Sequence, residues 1–382
     1  MSEPSIKSPR DEIDAIDIEI LKLLNQRAGI ALRVGAAKSN VDTSLCDPQR
    51  ESEVIERLTR ENSGPFDATS IENIFQRIID ESLYLQQRNF QRSPEAEAGT
   101  TEDLEHIEKG SRVAFQGEHG SFSEEAAQHI LGDDVQTVPC RTFDDLFASI
   151  DNGDADLILS PLENSLVGSV HRCYDLLLAS SLSIAAEVIL PISHYLVGPP
   201  DATFESVKTV ESHPVALAQC ERFFAAHPEL TGVAADDTAG SVMRVVESGD
   251  PTRAAIGGKR TAAIYGGKIL REHIEDHAEN FTRFALLTNA TEPSTKGAKI
   301  SLIVRLKHQP GALHNAMRPF VRRGINLLKI ESRPIRGMPS EFNFYFDLQA
   351  PANESELRGA LDEISEFASE VRFLGRYSTI NA

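Results

Sequence analysis

The chain has 382 residues, 41% of them hydrophobic and 25% charged, with a formal charge of −20 at pH 7. That length exceeds one ordinary core and predicts two or three domains, and so acidic a balance argues against nucleic acid, whose binding needs a positive surface. No apolar run approaches the roughly 18 to 20 residues of a membrane span, and the N-terminus shows no secretory pattern. Cys46, Cys140, Cys173 and Cys220 lack zinc-ligand spacing and read as reduced, structural thiols. The expectation is a cytoplasmic protein that uses no metal and no cofactor and binds neither nucleic acid nor membrane.

Between Arg10 and Ser39, Ile13, Ile16, Ile20, Leu23, Leu24, Ala31 and Val34 recur at three- and four-residue spacing without proline or a turn cluster. This predicts one helix of about 45 Å, longer than a small domain can bury alone, so a symmetric dimer is expected. Shorter helices are expected at 48–61 and 69–91. Arg27 and Lys38 return to nearly one helix face; Asp47, Arg50 and Glu51 stand at i, i+3 and i+4, and Ser82 and Gln86 at i and i+4. Spacing alone favours ordinary solvated faces.

The strings PRDEIDAID, LLNQRAGIALRVGAAK, DPQRESEV and IFQRIIDESLYLQQ, within residues 8–90, resemble the all-helical chorismate mutase family. The resemblance implies an intertwined dimer in which Arg10 reaches the partner's site. Arg27, Lys38, Asp47, Arg50, Glu51, Ser82 and Gln86 would complete the chorismate-binding set. Chorismate is a dicarboxylate whose rearrangement is an intramolecular pericyclic shift needing neither nucleophile nor metal. Arg10, Arg27 and Arg50 are expected to clamp its carboxylates, and Lys38 and Gln86 to face the ether bond as negative charge grows on it.

Residues 93–110 mix Pro, Gly, Ala and Thr with acids and show no apolar periodicity, as a linker does. From 111 to 290, β-rich runs (RVAFQG, DLILSP, SIAAEVIL, AAIG, FALLTN) alternate with helical ones, predicting an α/β domain of mainly parallel strands in two lobes around a cleft. One helix is expected after Ser123 and another after Pro214. Taken singly, GEHGSFSEEAA, SPLENSLVGSV, SHPVALAQC and NFTRF read as turn and cap chemistry. In this order they resemble the prephenate dehydratase family, which implies a periplasmic-binding-protein-like domain with substrate in the cleft. Prephenate loses carbon dioxide and a ring hydroxyl as it aromatises, so the minimal catalytic part is a donor to the departing oxygen, by resemblance Thr282. Ser121, Glu163, Asn164, Ser165, Ser212, His213, Gln219 and Arg283 are the other expected prephenate-binding residues. Adjacent strand residues face opposite ways, so Thr282 and Arg283 meet one ligand only if the backbone bends.

After a short break at 291–298, residues 299–382 follow the βαββαβ order of a ferredoxin-like α+β domain. HQPGALHNA and INLLKIESRP resemble ACT regulatory domains. The resemblance implies phenylalanine bound between paired domains at Gly311, Ala312, Leu313, Asn326, Leu327, Glu331 and Ser332. Helix N–H groups after Gly311 would suit its carboxylate, and Glu331 its ammonium group.

Three domains are therefore expected, at 1–92, 111–290 and 299–382. Together the resemblances imply an isomerase and lyase of phenylalanine biosynthesis: chorismate to prephenate, then prephenate to phenylpyruvate, inhibited by L-phenylalanine, in a homodimer or higher homo-oligomer. The alternatives are an arogenate dehydratase and a non-catalytic amino-acid sensor. A mutase in the same chain favours prephenate, and Thr282 has no purpose in a sensor.

Overall fold

A computed structural model describes residues 7–39, 45–90, 110–289, 296–335, 337–351 and 353–381. Apart from Gly110, the expected linker at 93–110 lies outside the described residues. Among them, no helix is long and apolar enough to cross a membrane.

The unbroken apolar period yields α1 (Lys7–Ser39), 33 residues and about 50 Å long. The helix α2 (Pro48–Glu61) starts where Pro48 can spare its missing N–H and where the Asp47 carboxylate accepts from the Arg50 amide at 3.1 Å. The third, α3 (Ala68–Phe90), packs against both. Their shared core is small: Leu45, Ile79 and Leu83 are buried, with Val54 and Ile55 against them. Most apolar side chains of α1 stay in water, Ile18 at 71% exposure and Ile13 and Ile16 at 56% each. Among the described residues nothing buries that stripe.

The next segment runs β1 (Arg112–Gln116), α4 (Phe122–Leu131), β2 (Gln136–Cys140), α5 (Phe143–Asp151), β3 (Leu157–Asn164), β4 (Gly168–Ser169), α6 (His171–Ala179) and β5 (Ser183–Pro191). It continues with β6 (Tyr195–Gly198), β7 (Thr209–Ser212), α7 (Pro214–Ala218), α8 (Glu221–Ala226), β8 (Thr231–Ala234), α9 (Thr238–Ser248), β9 (Arg253–Gly257), α10 (Lys259–Tyr265), β10 (Lys268–Arg271) and β11 (Phe281–Thr288). The last segment is β12 (Lys299–Leu306), α11 (Ala312–Arg322), β13 (Leu327–Ile335), β14 (Met338–Gln349), α12 (Glu354–Phe367), β15 (Ala368–Tyr377) and β16 (Thr379–Asn381).

Three sheets result. The first has the order β16-β5-β11-β3-β1-β2 with β4 beside β3; the second is β10-β6-β9-β7-β8; the third is β13-β14-β12-β15. The expectation of mainly parallel strands is corrected for the first two, which are mixed. Helix-linked strands β1, β2 and β3 run parallel. The chain leaves the first sheet after β5 and returns only at β11, which wedges antiparallel between β3 and β5. A returning strand without a helical crossover has no reason to keep the parallel sense. The apolar run on β3 is explained by burial on both faces: Leu157 and Leu159 join one core cluster, Ile158 and Leu162 the other.

Near the first sheet, Gly120 has φ +84°, and a Cβ there would lie 2.9 Å from the Thr261 Cα. Only glycine fits, and the Thr261 hydroxyl donates to the Gly120 carbonyl at 2.6 Å. The helix α4 begins earlier than expected, with Ser121 as its N-cap and Ser123 inside it.

The described residues form two compact units, one within Met1–Ala96, Val304–Phe344 and Leu348–Val371, the other within Glu97–Ile303, Tyr345–Asp347 and Arg372–Ala382. The second holds a buried ionic cluster. Arg283 donates through Nε to Glu187 at 2.6 Å, through Nη1 to Asp347 at 2.6 Å and through Nη2 to the Tyr377 hydroxyl at 3.0 Å. Lys299 donates to Glu187 at 3.0 Å, as does the Thr379 hydroxyl at 2.6 Å, and Ser301 donates to Asp347. Burial alone would raise the pKa of both carboxyls, but Arg283 and Lys299 outweigh it and hold both below their ordinary values.

Removing the guanidinium would leave two buried carboxylates sharing one lysine. Arg283→Met is therefore expected to cost about 3–5 kcal/mol of stability, seen as a lower thermal midpoint. Because the folded-state pKa values are depressed, the cluster's contribution is complete above the ordinary values of 4.5 for Glu187 and 3.8 for Asp347 and is lost as pH falls below them. Thermal unfolding from pH 7 down to the acid limb should show that loss, and show less of it in Glu187→Gln.

Candidate active sites

On the helical segment, two i, i+4 pairs face each other. Arg27 of α1 donates through Nη1 to the Ser82 hydroxyl of α3 at 2.5 Å and weakly to the Ile78 carbonyl at 3.4 Å. One turn on, Gln86 Nε2 donates to the Ala31 carbonyl at 2.5 Å. Gln86 is buried and Arg27 half-buried, and burial draws the Arg27 guanidinium below its ordinary pKa. Lys38 donates to the Leu45 carbonyl at 3.1 Å and stands 3.9 Å from Asp47. The structure thus brings Arg27, Ser82 and Gln86 together and sets Lys38 beside Asp47. Arg50 is exposed and paired with Glu53 at 3.2 Å, while Arg10 is exposed near the start of α1.

Glu51 has a partner that sequence spacing could not reveal. Arg322, at the end of α11 in the same compact unit, ion-pairs with Glu51, with Asp80 at 3.3 Å and with Glu363 at 2.8 Å. Arg322 is 7% exposed, and its backbone carbonyl accepts from Gln87. Beside it, burial pushes the Cys46 thiol up to about 11, so it is no nucleophile at neutral pH.

The second site is a cavity of about 430 Å³ in the α/β segment, within the ordinary size range for a small-molecule pocket. Asn164, Thr282 and Phe284 line it from the first sheet, and His213, Val215 and Gln219 from the start of α7 and just beyond. Thr282 and Phe284 face it because they alternate on β11; Arg283, between them, is turned into the ionic cluster. A register shift between Arg283 and Phe284 is present, yet it does not bring Arg283 to the cavity.

Asn164, at the end of β3, organises the floor. Its Oδ1 accepts from the Leu166 and Val167 amides at 3.0 and 3.1 Å. Its Nδ2 donates to Thr282 Oγ1 at 2.9 Å, to Asn280 Oδ1 at 2.8 Å and to the Phe281 carbonyl at 3.2 Å. His213 caps α7, its Nδ1 accepting from the Val215 amide at 3.2 Å, and burial lowers its pKa. Besides Arg283, four expected residues do not line the cavity. Ser121 caps α4 and Ser123 takes its place in the wall. Ser212 is fully buried and donates to the Ile256 carbonyl at 2.9 Å. Ser165 is exposed and bridges the Glu279 carbonyl and the Phe281 amide at 3.2 and 2.9 Å. Glu163 pairs along the backbone with Arg283 and Ser169. Two residues not expected, His194 and Asn280, join the network: His194 lines the cavity, and Asn280 is wholly buried behind it. Asn280 stands in the NFTRF string, where its pattern signal is that of a turn; His194 carries none.

In the last segment Gly311 has φ +80° and opens α11, with Ala312 buried and Leu313 half-buried. Along β13 the half-buried residues alternate with exposed ones, so Leu327 and Glu331 share one face while Ser332 takes the other. Glu331 and Ser332 therefore cannot both meet one ligand from a regular strand. Asn326 is exposed, and its carbonyl accepts from the Gln349 amide at 2.9 Å.

Two family models match, chorismate mutase type II over residues 9–87 and prephenate dehydratase over residues 113–292. A bifunctional chorismate mutase/prephenate dehydratase of Neisseria gonorrhoeae is 33% identical over 371 residues, 97% of this chain and 96% of that protein. An arogenate dehydratase/prephenate dehydratase of Arabidopsis thaliana is 38% identical over 288 residues, 72% of this chain and 74% of that protein. The crystal structure of a prephenate dehydratase from Arthrobacter aurescens in complex with L-Phe superposes with a TM-score of 0.64 at 32% identity, covering 70% of this chain and 89% of that one. With nearly the whole length of the Neisseria protein matched and each family model enclosing one of the two residue clusters, the chain belongs to the bifunctional chorismate mutase/prephenate dehydratase family.

Proposed function

We propose that the family's two activities reside in separate modules, the mutase in 1–92 and the dehydratase in 111–290, and that 299–382 is a ferredoxin-like ACT domain through which L-phenylalanine inhibits. In the mutase, Arg27 and Arg50, with Arg10 from a second copy, clamp the two carboxylates of chorismate. Lys38 and Gln86 stabilise the ether oxygen as its bond breaks. The exposed apolar stripe of α1 supports a dimer, since a second copy would bury it and bring Arg10 to the site.

The observation that carries the dehydratase reading is the direction of the bond at Thr282. Asn164 donates to its Oγ1, so the threonine's own proton remains for another acceptor. That acceptor is the ring hydroxyl of prephenate. As the ring carboxylate leaves as carbon dioxide, its bonding electrons enter the ring, the C–O bond opposite breaks, and Thr282 delivers a hydrogen bond or proton to the departing oxygen. Two sheets with a cavity lined from both sides support a two-lobed, periplasmic-binding-protein-like domain. Prephenate is preferred over arogenate because the same chain makes it.

The α11 start and β13 form the phenylalanine site, and the L-Phe complex of the Arthrobacter relative supports that effector. Its site pairs Gly311, Ala312 and Leu313 with Asn326, Leu327 and Glu331.

Thr282→Ala should lower dehydratase kcat by about a hundredfold to ten-thousandfold while chorismate consumption by the same preparation is unchanged. Arg27→Ala should lower mutase turnover about a hundredfold with an unaltered circular dichroism spectrum. Phenylalanine added to the purified chain should slow phenylpyruvate formation, with a coupling of about 1–3 kcal/mol between effector and substrate affinity. Unchanged rates at saturating effector would remove the regulatory assignment.

A further inference from the structure

The hydrogen bonds around Thr282 form a directed chain. Asn164 Oδ1 is pinned by two backbone donors, Leu166 and Val167 at 3.0 and 3.1 Å, so the other end of that amide must be the donor. Its Nδ2 therefore donates, its two protons shared among Thr282 Oγ1 at 2.9 Å, Asn280 at 2.8 Å and the longer Phe281 carbonyl at 3.2 Å, which obliges Asn280 to present Oδ1 there. Asn280 then turns its Nδ2 toward Gln219 Oε1 at 3.2 Å. Gln219 Oε1 is thereby an acceptor, and His194 Nε2, 2.8 Å from it, must carry the ring proton. Burial holds His194 below its ordinary pKa, so the ring is neutral and its Nδ1 bears a lone pair. Among the described residues that buried Nδ1 has no partner. Every orientation from the Leu166 and Val167 amides to His194 is fixed by its neighbour.

We infer that Asn280 and His194 are positioning residues for the dehydratase step: they hold the amides of Asn164 and Gln219 in the one arrangement that makes Thr282 an acceptor and sends its single hydroxyl proton into the cavity. Neither residue touches the reacting atoms. Asn280 is wholly buried with both ends of its amide engaged, and His194 is 2% exposed. Among the described residues no protein group accepts the Thr282 proton. If the Asn164 amide were free to turn, its Oδ1 would draw that proton away from the substrate. The fixed chain prevents this, and it leaves the amide group of Gln219 free for a polar group of the ligand.

This inference rests on Thr282 as the donor, and the two can fail separately. The test uses the full chain, with its mutase turnover as internal control for folding. Asn280→Ala should lower dehydratase kcat by about a hundredfold, with a smaller change in KM, since orientation and not binding is lost. Asn280→Asp is the sharper variant. A protonated carboxyl copies the amide, accepting from Asn164 and donating to Gln219, whereas the carboxylate cannot donate. Its dehydratase kcat should therefore be near native at low pH and fall as pH rises through a titration that the native enzyme lacks. His194→Gln keeps a donor toward Gln219 and should retain far more kcat than His194→Leu; this pair decides the matter if the Asn280 variants do not fold. Native kcat in Asn280→Ala or in His194→Leu, or equal losses in the two His194 variants, overturns the inference. Thr282→Ala run in parallel separates the levels: full turnover there removes the donor reading itself, while loss there with normal Asn280 and His194 variants removes only the positioning chain.

Discussion

Successive side chains of β11 point to opposite sides, and that alternation joins chemistry to stability in this enzyme. Thr282 and Phe284 face the cavity, while Arg283 enters a cluster with Glu187, Asp347, Lys299 and Tyr377. Because β11 is wedged between β3 and β5, any shift of the strand would disturb both faces together. A one-residue slip would bury the threonine among charges and leave the guanidinium in the cavity. The ionic cluster therefore opposes a change in the register that turns Thr282 to the cavity and Arg283 away from it.

The two residue clusters differ in charge. In the helical module, guanidinium and ammonium groups are at hand in Arg27 and Lys38, the groups that the proposed mutase reading would use to hold carboxylates. Among the described residues, those lining the α/β cavity include no lysine or arginine; the polar groups are amides, hydroxyls, two histidines and the Asp236 and Asp237 carboxylates. Under the proposed dehydratase reading, the ring carboxylate that departs as carbon dioxide loses its charge on the way, so a tight guanidinium clamp on that one group would favour the ground state over the transition state.

Much of this was legible in sequence, for identifiable reasons. The unbroken apolar period from Ile13 to Val34 could only be one helix, and the shorter helix expected at 48–61 is α2. The alternation around Thr282 and Arg283 was readable because a strand's period of two is indifferent to tertiary context. Strand direction was not: β11 runs antiparallel because of where the chain re-enters the sheet, a property no local pattern encodes. Ser121, Ser165 and Ser212 share strings with cavity residues, yet their hydroxyls serve a cap, a loop and a strand carbonyl. His194 and Asn280 escaped notice for the converse reason, since their roles come from residues far away in the chain. The Arg322 contact with Glu51 spans 271 positions and has no sequence signature at all.

That long-range contact constrains the first compact unit. Helix α11 has 11 residues, so Gly311 and Arg322 sit about 16 Å apart at its two ends. Arg322 serves Glu51, Asp80 and Glu363 at once, and its neighbour Arg323 also pairs with Glu363 at 2.8 Å. A buried guanidinium shared among three carboxylates cannot leave one of them without leaving a charge uncompensated. Displacement of α11 along its axis is thereby opposed at its C-terminal end, where Pro319 also interrupts the helix's own hydrogen bonding. The side chain of Glu51 is held by Arg322 as well as by its place on α2, a partner more than two hundred positions away.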